Sequence, residues 1–436
     1  MAILGQILFV ICLAVAGWFF SKSVRRISRN ILLGRDITFE GSSAERWQTM
    51  VRVALGQSKI LARIIPGILH VMIYVGFLIV NLEMLEIMID GIFGTHRILG
   101  KFLGVAYSGI TSIAEFFMLL VGVASVIFWV RRNVIKVPRF TNPELTRWPL
   151  LDANIILYVE FTLISALFIM NAADQALQLK QVDGYIAVGS FPISSFFVPL
   201  FSGLDVTSLK MIERGAWWSH IIGILIFLNY IPYSKHLHIL LAFPTTYFSK
   251  LKPKGQFTNM ESVTQEVRLM LDPSLPPPTN TEPVRFGAKD IFDLTWKQLL
   301  EAYTCTECGR CTSSCPANIT GKKLSPRKIM MDTRDRIEEV SAIIDVQGKF
   351  VDDGKTLLGD YITPEEIWAC TTCNACAEAC PVNIDPVSII IEMRRYMVME
   401  ESKAPEALNA MFSNVENNGA PWAMPAADRF NWASVS

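Results

Sequence analysis

Two stretches of the sequence, CTECGRCTSSCP at residues 305–316 and CTTCNACAEACP at residues 370–381, repeat one pattern of cysteines. In both, the spacing is Cys-x2-Cys-x2-Cys-x3-Cys-Pro. This run typically binds iron–sulfur cubanes, with three cysteines on one cluster and the fourth on its neighbour. The sequence therefore predicts two [4Fe-4S] clusters. The expected ligands are Cys305, Cys308, Cys311 and Cys380 for the first cluster and Cys370, Cys373, Cys376 and Cys315 for the second.

Other uses of cysteine fit this pattern less well. A structural zinc site needs paired two-cysteine knuckles, and disulfides form in an oxidising compartment, whereas we expect this unit to lie in the cytoplasm. The ninth cysteine, Cys12, stands alone in an apolar segment, where it is interpreted as a small apolar side chain.

The composition divides the chain into two parts, an apolar one suited to lipid and a polar, cysteine-rich one suited to water. Of the 436 residues, 51% are hydrophobic and 18% are charged, against about 25% charged in soluble proteins. Residues 1–240 contain 20 basic and 14 acidic side chains, whereas residues 241–436 contain 20 and 26, together with eight of the nine cysteines. Because the totals of Lys plus Arg and of Asp plus Glu are both 40, the composition excludes a strongly basic nucleic-acid binder.

Five apolar segments in the first part are long enough to cross a bilayer. A hydrocarbon core of about 30 Å needs about 20 apolar residues in a helix. A buried core helix imitates one such segment but not five. The expected transmembrane helices are about 2–20, 67–89, 104–130, 151–172 and 214–235.

The loops between these segments predict their orientation. The first and third loops contain nine and five Lys or Arg residues, whereas the second and fourth contain two each. Positively charged loops stay in the cytoplasm. We therefore expect a multi-pass protein of the inner membrane, with its N-terminus outside and its cysteine-rich part in the cytoplasm. The first segment has neither preceding positive charge nor cleavage site, so we expect an anchor rather than a signal peptide.

All five histidines lie in or beside the membrane part. His70 and His238 are expected at the same depth on the cytoplasmic side, where one imidazole from each of two helices would bind a b-type haem. The alternative is that each caps a helix end or faces lipid headgroups. His220 precedes His238 by five helical turns, so both would share one helix face unless Pro232 kinks the helix. His96 would pair with His220 on a second haem, or face solvent.

Polar groups within the apolar segments form another set of candidates. Glu83, Glu115 and Glu160 lie inside predicted membrane helices, where carboxylates usually line a proton path or bind a polar ligand. The alternative is that they are protonated and hydrogen-bonded between helices. His236, which follows Lys235, is interpreted as a solvated residue at the membrane interface.

The predicted fold is all-α, a five-helix transmembrane haem b bundle followed by a mostly helical cytoplasmic di-cluster domain. A Pro-rich run from Asp272 to Pro278 indicates an extended linker. Between the cysteine runs we expect a helix from Ser325 to Val340 and another that starts with a capping box of Thr363 and Glu366. The predicted domains are 1–245 for the membrane cytochrome, 246–290 for the linker, 291–400 for the two clusters and 401–436 for a docking tail.

The membrane part resembles the haem b subunit of respiratory nitrate reductase and its relatives, the membrane cytochromes of heterodisulfide reductase and of sulfite-reduction complexes. The resemblance lies in the five-helix count, His70 and the run from His220 through Pro232-Tyr233-Ser234-Lys235 to His238. In that family two histidines on helix two pair with two on helix five. Here Val80 stands at the second position of helix two, so the resemblance implies the inner haem of His70 and His238 and leaves the outer haem in question.

The part from Leu294 to Trp432 is similar to the iron–sulfur subunit of heterodisulfide reductase. The similarity includes both cysteine runs, GKKLSP at 321–326, Trp368 and NVENNGAPW at 414–422. In that family the tail docks on a subunit with cysteine-rich CCG domains. This sequence has no adjacent cysteine pair, so we expect the CCG partner to be a separate polypeptide.

Together the resemblances imply the electron-transfer subunit of a quinone-linked respiratory oxidoreductase. Electrons would pass between the menaquinone or quinone pool, haem b, two clusters and the CCG partner, in either direction, with electron-transfer flavoprotein as an alternative soluble donor. Quinol oxidation requires proton acceptors, for which His220, Glu83, Glu115 and Glu160 are the candidates. Lipid and other respiratory subunits are further expected partners. The alternatives are a non-catalytic redox scaffold and a subunit of a larger assembly without its own quinone site.

Overall fold

A computed structural model describes residues 3–276 and 285–434. These residues form helices and no β-sheet, with only two isolated bridges, Arg35 to Thr295 and Leu358 to Ile362. The prediction of an all-α fold is therefore confirmed. Pro277 and Pro278, at the end of the predicted Pro-rich run, lie outside the described residues, and the predicted linker 246–290 contains a helix over Glu261–Leu271.

The α-helices of the membrane part and the linker are α1 Ile3–Ile31, α2 Ser43–Met50, α3 Ile64–Phe93, α4 Ile98–Leu103, α5 Val105–Asn133, α6 Arg147–Leu179, α7 Val198–Phe201, α8 Val206–Tyr230, α9 His238–Tyr247 and α10 Glu261–Leu271. Those of the cysteine-rich part are α11 Trp296–Thr304, α12 Arg310–Ser313, α13 Pro316–Ile319, α14 Pro326–Gln347, α15 Pro364–Ala369, α16 Ala375–Ala379, α17 Pro386–Met399 and α18 Glu406–Asn418.

Five helices are long and apolar enough to cross a membrane, namely α1, α3, α5, α6 and α8 with the turn that follows it. Each extends beyond the predicted segment at one end or both. The predicted bounds were short because hydropathy marks only the part of a helix that lies in hydrocarbon. In α1, for example, the helix continues through Arg25, Arg26 and Arg29 to Ile31.

The five long helices pack side by side in a closed order. α1 contacts α3 and α8, α5 contacts α3 and α6, and α6 contacts α8. Their core contains Phe9, whose ring centre is 5.4 Å from that of Trp217, together with the buried Met118 and Ile221. Many apolar side chains on the outside of this bundle are exposed, as expected for a surface covered by lipid.

The chain does not continue as one helix from His220 to His238. α8 ends at Tyr230, two short 3-10 turns follow, and α9 begins at His238. Pro232 lies in the first of these turns, where its ring and missing N–H prevent the regular hydrogen bonding of an α-helix. The prediction that the two histidines share one face of a single helix is therefore wrong.

The cysteine-rich part is helical, and two of its helices, α14 and α15, start at the residues that the sequence predicts. The Ser325 side chain accepts a hydrogen bond from the Lys328 backbone at the start of α14, which runs to Gln347 rather than Val340. Thr363 and Glu366 form the predicted capping box at the start of α15. Both helix starts are confirmed, because side-chain caps satisfy backbone N–H groups that have no partner within the helix.

The two parts of the chain share one hydrophobic core. Ile27 and Ile231 of the membrane part pack in the same cluster of buried residues as Ile291 and Leu299. The end of α1 adds polar contacts, since the Asn30 side-chain amide donates to the hydroxyl of Tyr303 at 2.8 Å and Asn30 is fully buried. The cysteine-rich part is therefore held directly against one end of the bundle.

We expect Asn30→Ala to lower the free energy of unfolding by about 1–3 kcal/mol, because it removes a buried hydrogen bond between the two parts. Thermal unfolding of the purified protein in detergent would measure the change. Arg25→Ala is the matched control, since Arg25 lies one and a half turns away on the same helix and is exposed. Equal unfolding temperatures for both variants would contradict the role given to Asn30.

Candidate redox centres

The structure brings the first predicted set of cysteines together around one cavity. The lining includes Cys305, Cys308, Cys311 and Cys380, so the fourth cysteine of the second run joins the first three of the first run. Met330 and Ile384 complete an apolar wall. The Ile384 backbone N–H donates to the sulfur of Cys380 at 3.3 Å. Such hydrogen bonds to sulfur help to set cluster potentials.

Burial keeps the thiols of the first site protonated to higher pH than free cysteine. Burial raises the pKa of Cys305 to about 11. Burial also raises the pKa of Cys380 to about 12, with Cys308 and Cys305 adding to the rise. Because thiolates rather than thiols bind metal, iron must replace the protons of this buried group. The fit to a cubane rests on the donor set, since four thiol side chains line one cavity.

The cysteines of the second predicted set also lie close to one another, and this site is more exposed to solvent than the first. Burial is the main cause that raises the pKa of Cys376, and Asp385, Cys370 and Cys315 add to it. Cys315 of the first run therefore lies beside the second run, as the crossed pattern requires. Cys373 is exposed, so this second site reaches the surface of the protein.

The zinc alternative finds no support in the described ranges. Within residues 3–276 and 285–434, no three or more His, Cys, Asp or Glu side chains are arranged to hold a single metal ion. A structural zinc site would bring four ligands to about 2.0–2.3 Å from one ion. A cubane distributes its four cysteines over four irons, so its ligand sulfurs lie farther apart than those around a single ion.

His70 and His238 face each other at the end of the bundle that carries the cysteine-rich part. Their ring centres are 6.4 Å apart. A metal bound at about 2 Å by one nitrogen of each ring, with about 1.2 Å from nitrogen to ring centre, places the ring centres about 6.4 Å apart. The separation therefore fits two axial imidazoles of one haem iron.

The tautomer of His238 is suited to this role. Its Nδ1 donates to the carbonyl of Lys235 at 2.9 Å, which leaves Nε2 without a proton in the neutral ring. Nδ1 of His70 is buried without a hydrogen-bond partner in the described part of the chain. His236 is half-buried, with its ring 5.2 Å from Phe227 and 5.8 Å from His238, so the interpretation of it as a solvated residue is wrong.

A network of buried charges lies at the opposite end of the bundle. Arg97 donates to Asp174 at 2.6 Å and to Asn171 at 2.8 Å, and its guanidinium lies 4.3 Å from the ring centre of Phe191. The Arg97 backbone N–H donates to Asp90 at 2.6 Å. A desolvated charge needs such partners, and together they hold the loop after α3 against α6.

Two of the predicted acidic residues belong to this network. The amide of Asn171 donates to both Glu83 and Glu115 at 3.3 Å. Glu115 also accepts from the backbone N–H groups of Ile193 and Ser194 at 2.8 and 3.1 Å. One carboxylate oxygen of Glu83 is buried without a hydrogen-bond partner in the described residues. Glu83 therefore offers the network an acceptor that is free to bind a proton or a ligand.

The remaining candidates lie apart from each other. His96 contacts Asp174 at 3.3 Å, whereas Nδ1 of His220 donates to the carbonyl of Leu163 at 3.0 Å. No contact in the described residues joins the two imidazoles. Glu160 is half-buried and has no hydrogen bond or ion pair within the described ranges.

Sequence reasoning missed most of the distal network. Arg97, Asp174 and Asp90 lie near helix ends, where a charged residue is usually solvated, and nothing in the sequence tells which ones turn inward. One signal was available, because Glu83, Glu86 and Asp90 follow a spacing of three and four residues and so share one face of α3.

The chain is thus a membrane protein that carries an iron–sulfur domain. Residues 304–384 match the family described as 4Fe-4S dicluster domain. No solved structure matches the chain.

Three curated proteins show what this chain is similar to. The "Probable iron-sulfur-binding oxidoreductase FadF" of Bacillus subtilis (strain 168) is 28% identical over 99% of this chain and 61% of its own length. The "EtfAB:quinone oxidoreductase" of Syntrophomonas wolfei is 26% identical over 98% of this chain and 59% of its own length. A component of the ferredoxin/F(420)H(2)-dependent CoB-CoM heterodisulfide reductase of Methanosarcina acetivorans is 32% identical over 27% of this chain and 60% of its own length.

These similarities extend over both parts of the chain. The first two relatives match the membrane helices and the cysteine-rich part together, so a fused membrane and iron–sulfur protein is shown. The chain spans about 60% of the length of these two relatives.

We expect Cys380→Ser to remove one cluster, so that the iron content falls by about four atoms per chain. Cys315→Ser should have the same effect on the other cluster. Iron analysis and electron paramagnetic resonance (EPR) of the dithionite-reduced protein would measure both. Cys12→Ser, in α1, is the control that keeps the full iron content. A normal iron content in Cys380→Ser would contradict the crossed ligand sets.

Proposed function

We propose that this chain is the electron-transfer subunit of a respiratory oxidoreductase, linking the quinone pool through haem b and two [4Fe-4S] clusters to a cytoplasmic CCG-type partner. The observation that carries the proposal is the 6.4 Å separation of the His70 and His238 rings. This pair lies at the end of the bundle against which the cysteine-rich part packs. The similarity to a protein named as a quinone oxidoreductase supports the quinone as substrate.

His70 and His238 would hold the haem, which supplies a one-electron carrier inside the bilayer. The carbonyl of Lys235 keeps His238 in the tautomer that leaves Nε2 free. Val80 stands where relatives have a second histidine on this helix, and both His96 and His220 have other partners. We therefore propose that the chain binds one haem. If two haems were found, His96 and His220 would be the ligands of the second.

The proposed quinone site lies at the distal end of the bundle. Oxidation of a quinol releases two electrons and two protons, so the site needs proton acceptors close to the ring hydroxyls. Glu83 and Glu115 are held there by Asn171, and Glu83 retains a free oxygen. His220 lies on the neighbouring α8. Glu160 has no contact with this network, so we leave it out of the proposed site.

The proposed orientation follows the positive charge of the loops. The segments that carry this charge, before α3 and between α5 and α6, also contact the cysteine-rich part. Arg63 donates to Ser313 at 2.5 Å, and the carbonyl of Arg139 accepts from Arg327 at 2.7 Å. A cytoplasmic cluster domain of the inner membrane and an external N-terminus therefore satisfy both the loop charges and the contacts.

The proposed partner surface is the tail from 401 to 436. α18 in this tail has no buried residue, and Trp422, Phe430 and Trp432 are exposed among its described residues. Exposed aromatic side chains of this kind mark interaction surfaces. The CCG-type partner, or electron-transfer flavoprotein as the soluble redox partner, would meet the exposed second cluster site near Cys373.

The test is a reduced-minus-oxidised spectrum of the purified protein, with haem and iron determined on the same sample. We expect one b-type haem and about eight further irons per chain. Two haems would bring His96 and His220 back as a pair. The absence of haem would overturn the relay and leave an anchored iron–sulfur scaffold.

We expect His70→Ala to abolish the haem spectrum and the reduction of the clusters by quinol, because one axial ligand is lost. Optical spectra and EPR after addition of a menaquinol analogue would measure both effects. His96→Ala, at the other end of the bundle, should keep the spectrum of the His70 and His238 haem. Unchanged cluster reduction in His70→Ala would contradict the relay.

We expect Glu83→Gln to slow quinol oxidation about a hundredfold while the haem spectrum stays unchanged, because a proton acceptor is lost but the side-chain shape is kept. Stopped-flow haem reduction would measure the rate. Glu160→Gln, which removes a carboxylate outside the network, is the matched control. Equal rates for the two variants would contradict the assignment of the proton acceptor.

A further inference from the structure

The first cysteine site is surrounded by positive side chains that come from the membrane part or bind to it. Arg310, between Cys308 and Cys311, donates to the carbonyls of Lys59 and Ile60 at 3.2 and 2.9 Å. Arg310 is buried and lines the cavity formed by the first set of cysteines. The guanidinium is therefore desolvated and close enough to a ligand thiol to act on its charge.

The side chain of Lys59 also reaches the first cysteine site, next to the part that the second run contributes. Its ammonium donates to Asn383 at 3.0 Å and to the carbonyl of Ala377 at 3.3 Å. Burial lowers the pKa of Lys59, and Cys380 opposes the shift. The cation thus lies beside the cysteine that the second run contributes to the first site.

Two arginines extend this positive surround. A Cβ placed on Gly309 would lie 3.4 Å from Cβ of Arg139, so the loop after α5 packs directly on the first cysteine run. Burial lowers the pKa of Arg139, and Cys308 is the first group that opposes it. Arg63 reaches Ser313 at 2.5 Å. Together, Lys59, Arg63, Arg139 and Arg310 form what we call the basic collar.

Nearby carboxylates do not cancel this charge. Glu307 accepts from Lys235 at 2.6 Å and from Arg334 at 2.5 Å, so two cations compensate one anion. Glu378 forms an ion pair with Lys254. Both of these carboxylates therefore have cationic partners outside the basic collar.

The second cysteine site has a different charge environment in the described residues. Arg394 donates to the carbonyls of Ile367 and Cys370, whereas Asp385, of opposite sign, lies near Cys376. Its Cys373 is exposed to solvent. The two sites have equivalent cysteine runs but different electrostatic environments.

We propose that the cluster at Cys305, Cys308, Cys311 and Cys380 is the one next to the membrane carrier, and that the basic collar raises its reduction potential. Reduction adds one electron and hence one negative charge to the cluster, which nearby desolvated cations stabilise. Burial acts in the opposite direction, because it disfavours the added charge, and the collar offsets it. Arg310 also binds the carbonyls of Lys59 and Ile60, which lie just before the helix that carries His70.

This inference rests on the proposed function only in taking the His70 and His238 haem as the neighbouring carrier. The effect of the collar on the cluster requires neither quinone nor a partner protein. It can therefore be measured in His70→Ala protein as well, so that failure of the haem proposal and failure of the collar proposal are distinguishable.

The experiment is an EPR-monitored redox titration of the full chain with its clusters, purified in detergent. Arg310→Gln keeps amide donors for the two carbonyls but removes the charge, and Lys59→Gln removes a second charge outside the cysteine runs. We expect each to lower the midpoint potential of one cluster and leave the other unchanged. Arg310→Lys and Lys59→Arg, which keep the charge, should retain the wild-type potentials.

Two further variants identify the clusters. Cys373→Ala perturbs the exposed second cluster, so the signal that persists belongs to the first. Arg394→Gln should shift only the second. The proposal is overturned if Arg310→Gln and Lys59→Gln move neither potential, or if they move the signal that Cys373→Ala removes. Because Lys59 and Arg310 are tested separately, a folding defect in one variant leaves the other decisive.

Discussion

The hydrogen bonds from Arg310 to the carbonyls of Lys59 and Ile60 join the first cysteine run to the chain just before α3. α3 carries His70 in its second turn. Arg310 therefore connects the first cysteine run to the chain segment that leads directly into the helix of His70. The shared core around Ile27 and Ile291 makes this contact part of a packed joint rather than a tether. Electron transfer between two centres depends on such a constant separation, and this joint supplies it through burial and hydrogen bonding.

A second constraint acts at the other end of the bundle, where lipid cannot solvate charge. Arg97 is buried there with Asp174, and unpaired it would cost several kcal/mol. Its side-chain partners Asp174 and Asn171 come from α6, and Asn171 connects the same group to Glu83 of α3 and Glu115 of α5. The polar network that suits proton exchange therefore also holds three membrane helices together, so chemistry and stability depend on the same side chains.

The two ends of the molecule thus differ in the kind of charge they bury. At the joint, cations surround thiols that would carry negative clusters, whereas at the distal end several carboxylates share Arg97. An arrangement of this kind suits electrons at one end and protons at the other. Cys373 and the aromatic side chains of the tail are exposed, and under the proposed function they would form the surface that a soluble partner meets.

The sequence by itself determined the five membrane helices, the two cysteine runs and their crossed order, because apolar length and cysteine spacing are local patterns with few physical solutions. It also singled out His70 and His238, two of only five histidines in the chain, as the proposed haem ligands. Only the tertiary structure decided that residues 21–65 form the joint, that Pro232 separates His220 from His238, and which charges turn inward. These outcomes depend on contacts between residues far apart in the chain, and a charged side chain near a helix end looks the same in sequence whether it faces water or a partner.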